Sequence, residues 1–257
     1  MSVMESADGT RISFHTAGHG RTVVIVNGAL STSADAAPLA GALADAGFRA
    51  VTWDRRGRAD SGDRTGSTPE DEADDLAAVI HAAGGADAVL GHSSGAVLAL
   101  YAASRGVATG ALFLSEPPID FDGDGFGEEL ADRLQELVDA GEREEAIGSF
   151  QRDAIGLPAE MVEDARAGGQ LAALAPLAQS AVYDARLTLR LRRPDASRLK
   201  IRTPVTVLCG EQTFPFLIGA SHRLAEGIPG AELIIVPESI MHRPDPAATA
   251  RVVAQRI

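Results

Sequence analysis

Residues Ala88–Leu100 read AVLGHSSGAVLAL. Two apolar runs flank a small polar knot, Gly91-His92-Ser93-Ser94-Gly95. The first run, Ala86 to Leu90, has the length and content of a buried strand, and the second, Ala96 to Ser104, is long enough for a helix. A strand that passes so abruptly into a helix needs a sharp turn. Glycine on either side lets the two elements approach where a Cβ would clash. The knot fits G-x-S-x-G with Ser93 at its centre, and the strand before and helix after supply the context that gives the pattern meaning. In that setting Ser93 takes a strained backbone conformation with its hydroxyl exposed. The plainer reading is a Gly-Ser turn between two core elements, a role that has little need of so tight a loop.

Outward from the knot, strand and helix patterns alternate. Arg11–Thr16 alternates after an Asp8-Gly9 turn, and Thr22–Val26 (TVVIV) is the continuous β-branched run of a strand buried on both faces. An Ala/Leu-rich helical pattern covers Asp35–Ala46, and a further strand, Arg49–Trp53, runs into the charged loop DRRGRADSGDR. Thr68-Pro69-Glu70-Asp71 reads as a helix start, with Thr68 as cap, Pro69 in the first turn and acids at the positive end of the dipole. Strands are expected at Gly110–Ser115, Val205–Cys209 and Glu232–Val236, with a helix over Leu217–Glu226. Asp245 and Pro246 open a closing helix. This alternation predicts an α/β fold, a mostly parallel sheet with helices on both faces. The stretch 119–198 is acidic, helical and strand-free, broken at Gly141, Gly156-Leu157-Pro158 and Gly168-Gly169. It reads as a helical cap inserted between two core segments, 1–118 and 199–257.

Composition narrows the function. The 257 residues are 45% hydrophobic but only 4% aromatic, enough for a sizeable core built from Ala, Val, Leu and Ile. With 23 Lys and Arg against 36 Asp and Glu, the net charge is -13, a surface that repels nucleic acid and anionic membranes. The lone cysteine, Cys209, excludes an internal disulfide and reads as a core residue in PVTVLCG. The N-terminus lacks the basic start and apolar block of a secretion signal, so a cytoplasmic location is expected. Asp120-Phe121-Asp122-Gly123-Asp124-Gly125 matches half of a calcium loop. Its twelfth position is Ala131 where the loop requires Glu, and an acidic entrance to the insertion is the better reading. The glycines near 18 and 123 lack the strand-to-helix setting of a nucleotide loop. No cofactor or metal is expected, and the composition does not specify an oligomeric state.

The arrangement resembles the α/β-hydrolase superfamily along its whole length. Asn27-Gly28-Ala29 stands where that family usually has His-Gly after its third strand, and DRRGRADSG resembles its D-x-R-G-x-G-x-S loop. LSEPP, the helical insertion, GEQTFPF and a late histidine follow in the expected order, and LSEPP with GEQTFPF resembles a bacterial subgroup. The resemblance implies Ser93 as nucleophile and His242, in the loop before the closing helix, as base. The other five histidines read as structural or solvated, with His92 pointing away from Ser93. The family's usual acid position carries Thr213, which cannot serve. Glu116, at the end of the strand after the nucleophile helix, is the expected acid, with Glu211 second and no acid partner third. Backbone N–H groups of Ala29 and Ser94 would form the oxyanion hole. Tyr183 in the insertion is expected to line the pocket, the alternative being simple packing. The implied activity is a serine hydrolase acting through an acyl-enzyme on a small to medium neutral ester, lactone or thioester. Two alternatives stay open: a lyase, cyclase, perhydrolase or C–C-bond reaction on the same scaffold, and a silent ligand-binding relative.

Overall fold

A computed structural model describes residues 1–194 and 199–257. Its eight strands form one sheet: β1 (Ser2–Glu5), β2 (Arg11–Gly18), β3 (Thr22–Val26), β4 (Arg49–Trp53), β5 (Ala88–His92), β6 (Ala111–Ser115), β7 (Val205–Gln212) and β8 (Glu232–Ile240). The sheet order is β1-β2-β4-β3-β5-β6-β7-β8. Pairs involving β1 and β2 are antiparallel, and every pair from β4 to β8 is parallel.

Helix α1 (Ala37–Asp45) packs on one face with the closing helix Pro246–Ala254, over Val23, Ile25, Leu90 and Phe113. Helices α2 (Pro69–Ala82) and α3 (Ser94–Ser104) cover the other face, over Val24, Val26, Val89 and Leu112. Residues 23 to 26 and 88 to 90 thus alternate between two cores, which explains their uninterrupted hydrophobicity. The expected start of α2 is present: Thr68 N donates to Asp71 Oδ2 at 2.8 Å, and Asp71 N donates back to Thr68 Oγ1 at 3.3 Å.

Between β6 and β7 run α4 (Glu128–Asp139), α5 (Arg143–Ser149), a π-helical turn at Phe150–Ala154, α6 (Ala159–Ala167), α7 (Gln170–Leu174) and α8 (Ala178–Arg190). Their apolar faces meet in a core of their own, including Leu130, Leu134, Ile147, Val162, Leu171 and Val182. The expected end of this insertion, at 198, lies outside the described residues. Because Leu134 is fully buried there, Leu134→Ala is expected to cost about 2–5 kcal/mol in denaturant unfolding. A loss below about 0.5 kcal/mol would mean that the insertion has no packed interior. Among the described residues no helix is long and apolar enough to cross a membrane.

Register sets the site. Val26 pairs with Gly91, His92 with Ser115 and Ser115 with Leu208. The residues just past the ends of β3, β5, β6 and β7 therefore share one rim of the sheet, where open α/β sheets bind ligands.

Candidate active site

Strand β5 runs two residues further than its hydrophobic run and ends at His92, while α3 begins at Ser94. Ser93 alone makes the turn, with φ 53° and ψ −127°. The flanking glycines permit it by close approach. A Cβ on Gly91 would lie 2.5 Å from the Gly95 carbonyl oxygen, and one on Gly95 would lie 2.1 Å from the Val26 carbonyl oxygen. The Ser93 hydroxyl has no hydrogen-bond partner among the described residues, and Ser93 lines a cleft of about 1270 Å³ together with His92 and His242.

His242 sits in the turn after β8. Its Nδ1 lies 2.5 Å from Glu116 Oε2, so that nitrogen donates to the carboxylate and Nε2 remains to accept. Glu116 is buried just past β6. It also accepts from Gly210 N at 2.8 Å and from Thr213 Oγ1 at 2.9 Å. Burial alone would raise its carboxyl pKa, but the hydrogen bonds from His242, Gly210 and Thr213 outweigh it and hold the group below the usual carboxylate range. Thr213, unable to act as an acid, instead donates to Glu116, which stands one strand away. Glu211 is exposed and makes no side-chain hydrogen bond among the described residues.

Backbone strain concentrates here. Ser93, Glu116 and His242 all have positive φ (53°, 46° and 59°), and Leu30 and Met241, each beside a site residue, do as well. These are five of the seven non-glycine residues with positive φ among those described. Such conformations cost of order 1–3 kcal/mol each and persist only where the surroundings impose them.

Ala29 and Ser94 border the same cleft. A trans peptide points its C=O and the next N–H in opposite directions. The Ser93 carbonyl accepts from Ala96 N and Val97 N inside α3. Ser94 N–H is thereby turned out at the positive end of the helix. Among the described residues neither Ala29 N nor Ser94 N donates a hydrogen bond. Asn27 donates to the Thr32 carbonyl and so supports the loop that carries Ala29.

One expectation is corrected. Tyr183 does not line the cleft: it is buried in the cap core, and its hydroxyl donates to Asp63 Oδ1 at 2.9 Å. The amphipathic pattern of α8 could not distinguish a core-facing from a cleft-facing tyrosine. His92 stands beside His242: its ring centroid lies 4.6 Å from that of His242, and its Nδ1 lies 3.4 Å from Ser115 Oγ. Desolvation, reinforced by the neighbouring His242, lowers its pKa to about 3. From its ordinary value of 6.5 down toward 3, the unfolded chain binds this proton and the native chain does not. Stability must then fall as pH falls through that window, with up to about 1.4 kcal/mol per pH unit from this residue. His92→Gln is expected to flatten urea-unfolding stability measured between about pH 5 and 6.5 by that amount. An unchanged slope would mean that the native ring takes up its proton.

The calcium-like stretch is occupied by its own surroundings. Asp120 accepts from the N–H groups of Gly123 (2.6 Å), Asp124 (3.2 Å) and Gly125 (2.9 Å) and pairs with Arg192 at 3.0 Å.

Comparison with known proteins agrees with this architecture. The model of the alpha/beta hydrolase family matches residues 23–252. An alpha/beta hydrolase from Sphaerobacter thermophilus is 35% identical, with 99% of each chain covered and a TM-score of 0.89. The protein therefore belongs to the alpha/beta hydrolase family. An enol-lactonase from Burkholderia xenovorans shares the fold at 19% identity and TM-score 0.73, over 99% of this chain and 98% of that one. A thermophilic esterase from Thermogutta terrifontis does so at 21% identity and TM-score 0.71, over 99% and 96%. A search of curated proteins returned no match.

Proposed function

We propose that the protein is a serine hydrolase that cleaves a neutral ester, lactone or thioester through an acyl-enzyme. The observation that carries this reading is the contact between His242 Nδ1 and Glu116, beside a strained Ser93 on the same cleft. Ser93 Oγ attacks the carbonyl carbon while His242 Nε2 takes its proton, and Glu116 stabilises the imidazolium. Charge developing on the carbonyl oxygen meets the N–H groups of Ala29 and Ser94. The proton passes to the leaving alkoxide or thiolate. Water, deprotonated by the same imidazole, then attacks the acyl group and returns Ser93 to its hydroxyl form.

The cleft supports an apolar substrate body. Phe121, Phe126, Phe150, Phe214 and Phe216 line it, five of the eight phenylalanines in the chain. Two of its arginines are already neutralised: Arg192 by Asp120 at 3.0 Å, and Arg223 by Asp122 at 2.7 Å. A small-molecule partner and a role for the helical insertion as roof of the cleft belong to the same reading. The lactonase and the esterase that share the fold are consistent with it.

The test is a fluorophosphonate probe followed by peptide mass spectrometry, with turnover on aryl and alkyl esters, lactones, thioesters and diketones. Labelling confined to Ser93 with ester or lactone turnover is expected. No labelling would favour a silent ligand-binding relative, and turnover of diketones alone would favour C–C-bond chemistry.

A further inference from the structure

Beneath the candidate oxyanion hole lies a buried ionic cluster that none of the steps above uses. Its members come from three parts of the chain: Arg55 and Arg58 from the loop after β4, Glu72 from α2, and Asp184 from α8 of the insertion. Arg55, Arg58 and Asp184 are each about 1% exposed. Asp184 Oδ1 accepts from Ser94 Oγ at 2.7 Å and from Arg55 Nη1 at 2.7 Å. Asp184 Oδ2 accepts from Arg58 Nη2 at 2.7 Å. The other terminal nitrogen of Arg58, Nη1, donates to the Gly28 carbonyl at 2.6 Å and to the Ser31 carbonyl at 2.9 Å. Ser31 Oγ adds a second bond to the Gly28 carbonyl, at 2.7 Å.

The consequence follows from peptide planarity. Gly28 C=O and Ala29 N–H belong to one trans peptide and point opposite ways. Two donors that draw the Gly28 carbonyl inward therefore turn the Ala29 N–H outward. The same aspartate that holds Arg58 in place also grips the side chain of Ser94, whose N–H is the other candidate donor. One carboxylate on the insertion thus reaches both halves of the hole. Stability alone is a poor account of the cluster. Buried ion pairs add little over apolar side chains of the same volume, and Arg58 Nε and Glu72 Oε2 are buried without a hydrogen-bond partner among the described residues.

We propose that Asp184 is a positioning residue for catalysis, which rests on the hydrolase reading of Ser93: through Arg58 it helps direct the Ala29 N–H, and through Ser94 Oγ it anchors the first residue of α3, which carries the Ser94 N–H. The insertion then does more than roof the cleft, because it supplies the group that orients the oxyanion donors. Without Asp184, Arg58 loses its anchor and the Gly28 carbonyl keeps only the Ser31 bond as a fixed restraint, so the Ala29 N–H is held less firmly and the site binds substrate but stabilises the tetrahedral intermediate poorly.

The experiment uses the full chain and its Asp184→Asn, Ser94→Ala and Arg58→Lys variants, with an aryl ester that the wild type turns over. Melting temperature and circular dichroism report folding. kcat and KM are measured, together with the inhibition constant of a trifluoromethyl ketone, whose serine adduct carries an oxyanion. Loss of one such donor costs about 10²–10³ in rate, so Asp184→Asn is expected to lower kcat by about 30- to 300-fold. KM should stay within about threefold, and the ketone should weaken in proportion to kcat, as for an interaction made only in the transition state. Ser94→Ala, which removes one of the two links, should lower kcat by about 5- to 20-fold, a fraction of a full donor's effect. A folded Asp184→Asn with a lower melting temperature but wild-type kcat and ketone affinity overturns the proposal. Should that variant fail to fold, Ser94→Ala and Arg58→Lys decide: wild-type kcat and ketone affinity in both overturns it equally. A wild type that is neither labelled at Ser93 nor active overturns the hydrolase reading and this proposal together. A labelled, active wild type beside unaffected variants overturns the proposal alone.

Discussion

Replacing Ser93 with alanine is expected to lower kcat by about 10⁴-fold or more and to abolish fluorophosphonate labelling, because the attacking oxygen is gone while the rest of the site remains. The fold should survive. The hydroxyl has no hydrogen-bond partner among the described residues, and alanine meets the same positive φ of 53° that serine already tolerates. KM should change by less than about threefold, since binding rests on the apolar cleft and not on the nucleophile. Pre-steady-state kinetics give a sharper form of the test: an acyl-enzyme burst in the wild type, and none in Ser93→Ala. A variant that keeps its burst and its rate would place the nucleophile elsewhere and dismantle the proposed reaction.

The second large effect is expected at Glu116. Glu116→Gln should lower kcat by about 10³–10⁴-fold, the order seen when a base loses the acid that fixes its tautomer. Gly210 N and Thr213 Oγ1 both donate toward this side chain, so its oxygen acceptors are already claimed. A glutamine whose carbonyl keeps the Gly210 bond places its NH₂ where Oε2 stood, against Thr213 Oγ1 and His242 Nδ1, and both must then accept. The ring proton moves to Nε2, the nitrogen needed to accept from Ser93. Glu211→Gln should change kcat by less than about twofold, because that side chain is exposed. The reverse outcome would move the acid to Glu211. The Glu116 carboxyl is held below its ordinary range, so its contribution to stability is present above that range and lost as pH falls through the lowered value. Glu116→Gln should therefore also blunt the acid limb of the unfolding curve.

Much of the fold was legible because its signals are local. The TVVIV run, the Thr68-Pro69 helix start and the Asp245-Pro246 cap are each decided by neighbours a few residues apart, and each forms the expected element. Boundaries were less accurate. Strand β5 extends to His92, two polar-flanked residues beyond its hydrophobic run, because register with β6 continues to Ser115. The role of Glu116 could be argued only from resemblance, and its geometry needed Gly210, Thr213 and His242 brought to it from distant parts of the chain. No sequence pattern separated a buried Tyr183 from a pocket-lining one, or showed that His92 would stand beside His242.

The amino-acid sequence by itself determined which segments become strands and helices, their mostly parallel order, and the single-residue turn at Ser93. Side-chain period and glycine spacing act within one element and its immediate neighbour. Only the tertiary structure decided what surrounds that turn. Arg55 and Asp184 are 129 positions apart, and Glu116 and His242 are 126 apart. Nothing in local propensity encodes such pairs. They meet because parallel register lines up the ends of the central strands, and because the insertion folds back over the rim they share.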